Sequence, residues 1–293
     1  MLLQKYFETR FELIDKELVR VLSWDNKYAA NLKKAMTEAV MPGGKRWRPI
    51  LLLSMFEMLT GFKKNRAFPD ALKAAAAIEL VHNGGLIHDD LPSVMDRNQR
   101  RGQPALHIKY GNAVAILAAD ALYSLAFELL GEFQNPEQAM KSIQILSNAA
   151  KSYGMVGGQA VALTSRHKVM KINTLNYIDI KKVGSLLQAS ADIACLLSKA
   201  DEETHQIMIA YATNLGIAYQ MIEDIEADYS RGSDGLDEDY VPVSKSSYTG
   251  LLGFDKARKT VENMLDYTAK MLKPYPDNSI LLEFVAMIKE RLP

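Results

Sequence analysis

The stretch that decides the fold of this chain is Pro69-Asp-Ala-Leu-Lys-Ala-Ala-Ala-Ala-Ile-Glu-Leu-Val-His-Asn-Gly-Gly-Leu-Ile-His-Asp-Asp-Leu-Pro92. It opens on proline and aspartate, which are typical of a helix start, and continues through a long apolar run rich in alanine. Leu91-Pro92 ends the predicted helix, because proline disfavours a helical conformation in the residue before it. The acidic pair Asp89-Asp90 is therefore expected at the end of an apolar helix, where carboxylates can reach into a cavity.

A second acidic pair, Glu223-Asp224, lies in the stretch Gln220-Met-Ile-Glu-Asp-Ile-Glu-Ala-Asp228. Gln220, Glu223 and Asp224 follow the spacing i, i+3 and i+4, so they form one polar stripe on an apolar helix. Carboxylates in such surroundings are costly unless they are paired or hold a cation. Mg²⁺ commonly takes one or two carboxylates and completes its coordination with water and substrate phosphates. If the two pairs face each other, they predict a magnesium site in an enzyme that acts on a diphosphate.

The rest of the chain has helical periodicity, with no convincing strand alternation, no fixed repeat and no low-complexity linker. We therefore predict an all-α fold: a single domain over residues 1–293, with many helices around a deep central cavity. The polar stretch from Ser230 to Ser247 is predicted to be a loop, and breaks are expected at Pro42-Gly-Gly44, Gly102-Gln-Pro104 and Gly154–Gly158. The predicted helices cover residues 5–24, 71–87, 113–132, 136–152, 172–198, 201–227, 255–272 and 279–292.

Composition excludes several classes of protein. The chain has 293 residues, with 35 Lys plus Arg against 35 Asp plus Glu, which argues against a general nucleic-acid binder. A single cysteine, Cys195, provides neither a disulfide framework nor a zinc site and fits the cytoplasm. The N-terminus lacks the apolar core of a signal peptide. The most apolar stretch, Ala113 to Leu130, carries Asp120 and Glu128 and is interpreted as a buried core helix, with no transmembrane segment.

Basic residues near predicted helix ends are candidates for binding phosphate. Gly43-Gly-Lys-Arg-Trp-Arg-Pro49 offers backbone donors and cations at a helix start, although a simple basic turn is a serious rival interpretation. Arg100-Arg101 follows the first acidic pair, and the two arginines either bind a diphosphate bidentately or neutralise the acids. His82 lies two helical turns before Asp89 and shares its face.

Together these motifs resemble the trans-isoprenyl diphosphate synthase (polyprenyl synthetase) family, in particular farnesyl and geranylgeranyl diphosphate synthases. Any one segment is weak, but seven in the same order, between Gly43 and Arg258, are highly specific. The segments are 43–49, 79–92, 100–104, 116–122, 157–159, 220–224 and 245–253.

The resemblance implies a homodimeric all-helical fold with a deep central cavity and no nucleic-acid partner. It also implies ionisation followed by condensation. Magnesium ions bind the diphosphate of an allylic substrate and stabilise it as a leaving group. The carbon–oxygen bond breaks, and the double bond of isopentenyl diphosphate attacks the allylic cation. A proton is then lost, and electrostatic stabilisation of the leaving diphosphate drives the reaction.

The same resemblance assigns roles to individual residues. Lys182, Gln220 and Arg100 would be the catalytic residues, with Gln220 lining the carbocation region. The set expected to hold isopentenyl diphosphate is Lys45, Arg48, His82 and Arg101. The set expected to hold the allylic diphosphate is Arg100, Lys182 and Lys245. The set expected to face magnesium is Asp89, Asp90, Asp96, Glu223 and Asp224.

The chain departs from the family pattern where further acids are expected. Met95 stands in place of a third aspartate, with Asp96 the nearby acid, and Ala227 stands in place of another, with Asp228 one step off. Val183 replaces the usual threonine and Ala162 an acid. A catalytically impaired paralogue or regulatory subunit is therefore one alternative. A terpene synthase-like enzyme on the same fold is another, but it would not need the isopentenyl diphosphate set.

Two adjacent glycines, Gly84 and Gly85, precede Asp89 where the family places the bulk that limits chain length. Glycine inside a helix costs about 1 kcal/mol relative to alanine, so both positions require an explanation. One is close packing between helices, and the other is a passage for a prenyl tail. We favour the passage and predict a product of twenty carbons or more.

Overall fold

The computed structural model describes residues 2–165, 168, 170–233 and 247–293. Helices dominate these residues, which confirms the predicted all-α class. The chain divides into two compact units, Met1–Ser147 with Ile193–Ala200, and Asn148–Asp192 with Asp201–Pro293. The single domain and the deep central cavity stay predictions.

The first unit is built around one buried helix, α4, against which α1, α2, α3 and α5 pack. Small side chains make this close packing possible, since Ala74 to Ala77 of α4 are completely buried and α5 contributes Ala115, Ala118 and Ala119. The helices of this part are α1 (Leu2–Leu22), α2 (Ala30–Val40), α3 (Trp47–Leu59), α4 (Phe68–Asp90), α5 (Leu106–Gly131) and α6 (Pro136–Ala150).

Helix α4 begins and ends as the sequence predicts. Pro69 lies in its first turn, and the Asp70 carboxylate accepts a hydrogen bond from the backbone N–H of Gln134 at 3.1 Å. The helix ends at Asp90, directly before Leu91-Pro92. The first acidic pair therefore occupies the final turn of the helix around which this unit is built.

One short hairpin interrupts the helical pattern of the first unit. Strand β1 (Gln99–Arg100) pairs antiparallel with β2 (Gln103–Pro104) in a short hairpin. Its two turn residues, Arg101 and Gly102, both have positive φ, the geometry of a tight two-residue hairpin turn. This turn directs the side chains of Arg100 and Arg101 to different parts of the first unit.

The second unit is built around the long helix α10, which packs against α8, α11, α12, α13 and a π-helical segment at Ile180–Gly184. The helices of this part are α7 (Met155–Ser165), α8 (Ile172–Asp179), α10 (Glu202–Ser233), α11 (Tyr248–Leu252), α12 (Phe254–Met271) and α13 (Ser279–Lys289). Helix α9 (Ser185–Ser198) begins in this unit, and its residues from Ile193 belong to the first.

Several boundaries differ from the prediction: α2 and α3 are not among the predicted helices, and α5 begins at Leu106 rather than at residue 113. Gly157 and Gly158 lie inside α7 rather than in a break, because α7 begins at Met155. Helix α10 continues six residues beyond the predicted end at Ala227, into the predicted polar loop. Most of that loop lies outside the described residues.

The interpretation of α5 as a buried core helix is only half right. Its alanine-rich face is buried against α4, but Ile116 and Leu117 are exposed, as is Ile108 before the non-helical residue Gly111 (φ 81°). Among the described residues, α5 is also the one helix long and apolar enough to span a membrane by length and composition. The exposed apolar side requires its own explanation.

Candidate functional site

The basic loop before α3 is held in place by one of its own arginines, Arg46. The Arg46 side chain is fully buried, and Nε donates to Asp15 Oδ1 at 3.0 Å while Nη1 donates to Glu79 Oε1 at 2.7 Å. A third bond runs from Nη2 to the Val40 carbonyl at 2.8 Å. Arg46 is therefore a structural cation that anchors the loop to α1 and α4.

The hairpin brings Arg101 against the same loop. Arg101 Nη1 donates to the Gly43 carbonyl and, at 3.3 Å, to Asn83 Oδ1. Gly44 has a φ of 127°, a conformation that favours glycine, and a Cβ there would lie 3.0 Å from the guanidinium carbon of Arg101. The structure thus brings the basic loop at 43–49 and the Arg100-Arg101 motif together. Lys45 is exposed, and its Nζ lies 5.5 Å from the centre of the Trp47 ring.

His82 lies next to the second arginine of the loop. Arg48 Nη1 is 3.4 Å from His82 Nε2. Burial lowers the pKa of His82 well below its usual value, and the charges of Arg48, Arg101, Arg100 and Arg46 act in the same direction. The imidazole is therefore neutral at pH 7, among cations suited to an anionic ligand. Arg48 and Arg101 therefore both act on His82, while their shared role in binding isopentenyl diphosphate stays a prediction.

The first acidic pair is split between two environments. Asp90 is buried and accepts two hydrogen bonds from Arg100, one from Nε at 3.0 Å and one from Nη2. This bidentate pair supports neutralisation, one of the two alternatives left open for Arg100. Asp89 is half-buried, and its charge contributes to raising the pKa of Tyr123 to about 12, with burial the larger cause.

Asp96 lies apart from this pair on the surface. It is exposed, has a φ of 50°, and its backbone N–H donates to the Leu91 carbonyl at 3.0 Å. The neighbouring Met95 N–H donates to the Asp89 carbonyl at 3.1 Å, which ties the turn to the helix end. The role of Asp96 as a magnesium ligand stays a prediction.

The two glycines before Asp89 differ in exposure. Gly84 is buried, and a Cβ there would lie 3.2 Å from Tyr123 Cζ and 3.3 Å from the Ala119 carbonyl oxygen. Gly85 is half-buried. Close packing against α5 therefore accounts for Gly84, the alternative that the sequence interpretation did not favour.

In the second unit, Lys182 lies on the π-helical segment between α8 and α9. Such segments are frequent at functional sites because the extra residue shifts the side-chain register. A Cβ at Gly158 would lie 2.5 Å from the Lys182 backbone nitrogen, and one at Gly216 would lie 3.3 Å from Gly184 Cα. Helices α7 and α10 thus approach the segment closely through glycine. Val183 lies in the same segment.

Asp224 is positioned by Tyr248, which belongs to the motif at 245–253 but had no predicted role. The Tyr248 backbone N–H donates to Asp224 Oδ2 at 2.8 Å, and its hydroxyl donates to Asn176 Oδ1 at 2.9 Å. Burial raises the pKa of Asp224 to about 6 and that of the neighbouring Asp179 to about 7. The charge of Asp224 contributes to the shift at Asp179, so the two carboxyl groups lie close enough to influence each other.

Glu223 has an unexpected partner from the C-terminal part of the chain. Arg291 Nη2 donates to Glu223 Oε1, while Arg291 Nε donates to Glu226 Oε1 at 3.0 Å. The guanidinium also lies 4.7 Å from the centre of the Tyr219 ring. Arg291 is thus a cation in contact with the second acidic motif, and no local sequence pattern indicates this contact.

The remaining predicted residues of this unit are less well defined. Gln220 is half-buried and Ala227 is exposed. Lys245 lies outside the described residues, so its predicted role stays a prediction. The side-chain amide of Gln159, in the glycine-rich motif, is buried without a hydrogen-bond partner in the described part of the chain.

Oxygen ligands for a hard cation are present in both units. No three His, Cys, Asp or Glu side chains among the described residues converge into a metal site. Mg²⁺ in phosphate-handling enzymes does not require such a cluster, since one or two carboxylates suffice when substrate phosphates complete the coordination. Asp89 in the first unit and Glu223 in the second fit that chemistry.

Comparison with known proteins identifies the family. The polyprenyl synthetase model matches residues 29–237. A farnesyl diphosphate synthase of Haemophilus influenzae is 36% identical over 293 residues, covering 97% of this chain and 94% of that protein. A geranylgeranyl diphosphate synthase of Cyanophora paradoxa is 32% identical over 290 residues, covering 96% and 93%.

A solved structure agrees with these relatives. An FPP/GFPP synthase from Zymomonas mobilis in its apo form superposes with a TM-score of 0.85 at 28% identity, covering 98% of each chain. Because the family model matches most of the chain and relatives align along almost all of it, the chain belongs to the polyprenyl synthetase family of prenyltransferases.

Proposed function

We propose that this chain condenses isopentenyl diphosphate with an allylic diphosphate to make a longer trans-prenyl diphosphate. The observation that carries the proposal is the contact between the two basic motifs, where Arg101 lies against Gly43-Gly44 and Arg48 lies beside His82. A cyclase acting on one prenyl diphosphate has no use for a second diphosphate site.

The reaction needs no side-chain nucleophile. The allylic carbon–oxygen bond breaks and releases pyrophosphate, the isopentenyl double bond supplies the electron pair of the new carbon–carbon bond, and loss of a proton restores a double bond. Lys45, Arg48, His82 and Arg101 hold isopentenyl diphosphate. Arg100, Lys182 and Lys245 hold the allylic diphosphate, and Gln220 lines the region of the cation.

Mg²⁺ is the proposed cofactor, and when bound it stabilises charge on the departing diphosphate. Asp89, Asp90, Asp96, Glu223 and Asp224 are the proposed residues that face it. Burial around Asp224 and Tyr248 lowers the local dielectric, which strengthens interactions between the site's own charges and the diphosphate.

One observation favours the alternative of a catalytically impaired subunit. Two of the proposed magnesium-facing carboxylates, Asp90 and Glu223, already contact arginines. Together with Met95 and Ala227, these ion pairs reduce the number of carboxylate oxygens open to a cation. We favour activity because Mg²⁺ needs few protein ligands when phosphates are bound.

We further propose that two copies associate through the exposed side of α5. Leu117 is more than half exposed and Ile116 is 41% exposed, on the helix whose other side packs against α4. An apolar surface of this kind is typical of an interface between subunits. A cytoplasmic homodimer, rather than a membrane protein, is the proposed state, and sedimentation of the purified protein tests it.

Pyrophosphate release with and without isopentenyl diphosphate distinguishes the candidate functions. The purified protein is incubated with Mg²⁺ and a ten-carbon allylic diphosphate. Release that requires isopentenyl diphosphate supports condensation, release without it supports a terpene synthase-like reaction, and no release supports an impaired subunit. Arg48→Gln should raise KM for isopentenyl diphosphate, whereas Arg20→Gln, on the surface of α1, should not.

A further inference from the structure

We propose that Tyr123 of α5 limits the length of the prenyl product, by filling the space beside α4 that the two glycines leave open. This inference rests on the proposed condensation. It assigns the limit to a neighbouring helix, because neither Gly84 nor Gly85 has a side chain that could stop a growing tail.

The Tyr123 ring occupies the position where a side chain at residue 84 would lie. A Cβ built on Gly84 would be 3.2 Å from Tyr123 Cζ and 3.3 Å from Tyr123 Cε2. Any larger side chain at that position would overlap the ring. The space at Gly84 is therefore filled, and the side chain that fills it comes from α5.

The ring also lies close to the acidic end of α4. Its centre is 5.8 Å from the His88 ring, and the charges of Asp89 and Asp120 act on its hydroxyl. Gly84 precedes Asp89 by five residues, about 7.5 Å along the helix axis. A prenyl tail that starts from a diphosphate at Asp89 and follows α4 past Gly84 therefore meets this ring early.

This geometry changes the expected product. The glycines alone predict a passage and a product of twenty carbons or more, whereas the Tyr123 ring predicts a main product shorter than twenty carbons. Removing the ring should reopen the passage, because no side chain on α4 takes its place at residues 84 and 85.

Product sizing with matched variants tests the inference. Purified wild type, Tyr123→Ala, Tyr123→Leu and Tyr123→Phe are incubated with Mg²⁺, isopentenyl diphosphate and a ten-carbon allylic diphosphate. The Ala and Leu variants should lengthen the main product by at least one five-carbon unit, and the Phe variant should keep the wild-type length. Tyr267→Ala, at a residue 62% exposed on α12, is the control and should change nothing.

Gly84→Ala provides an independent arm. Its new Cβ presses on the Tyr123 ring and should shift the products towards shorter chains, while the double variant with Tyr123→Leu should relieve that shift. Wild-type product length in folded Tyr123→Ala and Tyr123→Leu would overturn the inference. If both variants fail to fold, an unchanged product from Gly84→Ala would overturn it instead.

Failure of the proposed function is a separate result. If wild type does not elongate any primer, the condensation proposal fails, and tail length is then tested by binding. Calorimetry with fifteen- and twenty-carbon allylic diphosphates should show that Tyr123→Ala gains affinity for the longer one relative to the shorter. An affinity ratio equal to that of wild type would overturn the role of Tyr123.

Discussion

Replacing Arg46 by methionine should destabilise the protein by about 4 kcal/mol, because it leaves a buried carboxylate without its cation. Arg46 makes three hydrogen bonds, to Asp15, Glu79 and the Val40 carbonyl, and its side chain has no exposed surface. Removing one partner of a buried ion pair typically lowers the free energy of unfolding by about 3–5 kcal/mol. Asn83 still donates to Glu79 at 3.0 Å and limits the loss.

Arg20 offers a matched control. It too contacts two carboxylates, Glu17 at 2.8 Å and Glu132 at 3.2 Å, but its side chain is half exposed. Exposed pairs contribute roughly 0–1 kcal/mol, so Arg20→Met should cost less than about 1 kcal/mol. Both free energies of unfolding come from urea denaturation followed by circular dichroism.

A double variant separates the ion pair from general packing. Arg46→Met combined with Glu79→Gln should cost less than the sum of the two single changes, by roughly 0.5–3 kcal/mol, because the stranded charge is removed. If Arg46→Met costs no more than Arg20→Met, the assignment of Arg46 as the anchor of the basic loop is wrong.

Three further changes test the second unit. Burial raises the pKa of Asp179 to about 7 from 3.8. Between these two pH values the native state holds a proton that the unfolded state releases, so the free energy of unfolding falls as pH rises. Asp179→Asn should remove this loss, on the order of 4 kcal/mol, which would be seen as a gain in Tm at pH 8 and no gain near pH 4. Gly158→Ala should lower the free energy of unfolding in urea by about 1–3 kcal/mol, because its Cβ would lie 2.5 Å from the Lys182 backbone nitrogen. Gly131→Ala is the control and should raise stability, since its Cβ would meet no atom within 4 Å. A similar gain for Gly158→Ala would contradict the close packing of α7 on the π-helical segment. Arg291→Gln should lower the Mg²⁺ concentration for half-maximal activity by about twofold or more, since it removes a cation from Glu223. The surface change Lys289→Gln is the control and should leave that concentration unchanged. An unchanged Mg²⁺ requirement in Arg291→Gln would count against competition between Arg291 and Mg²⁺ at Glu223.

The sequence predicted those features that depend on local pattern. Helix α4 ends where Leu91-Pro92 requires, and the polar stripe of Gln220, Glu223 and Asp224 lies on one helix. The ordered motifs predicted the family, which the comparisons confirm. The two helix features are encoded by residues within one or two helical turns of each other, and the family by the order of short motifs along the chain.

Features that depend on distant partners were not predictable in this way. Arg46 and Arg48 lie two residues apart in one basic motif, yet it is Arg46 that forms the ion pair with Glu79, which is 33 residues away. The partner of Glu223 is 68 residues away, at Arg291. A charge pattern shows that a residue needs a partner, but only packing decides which partner it finds.

The most direct test of the central claim is whether labelled isopentenyl diphosphate enters a longer prenyl chain. Purified protein is incubated with Mg²⁺, labelled isopentenyl diphosphate and, separately, five-, ten- and fifteen-carbon allylic diphosphates, and the prenols are sized after dephosphorylation. We expect labelled products longer than the primer, and none when Mg²⁺ is removed by a chelator. Absence of labelled prenol with every primer, from folded protein, would contradict the proposed condensation.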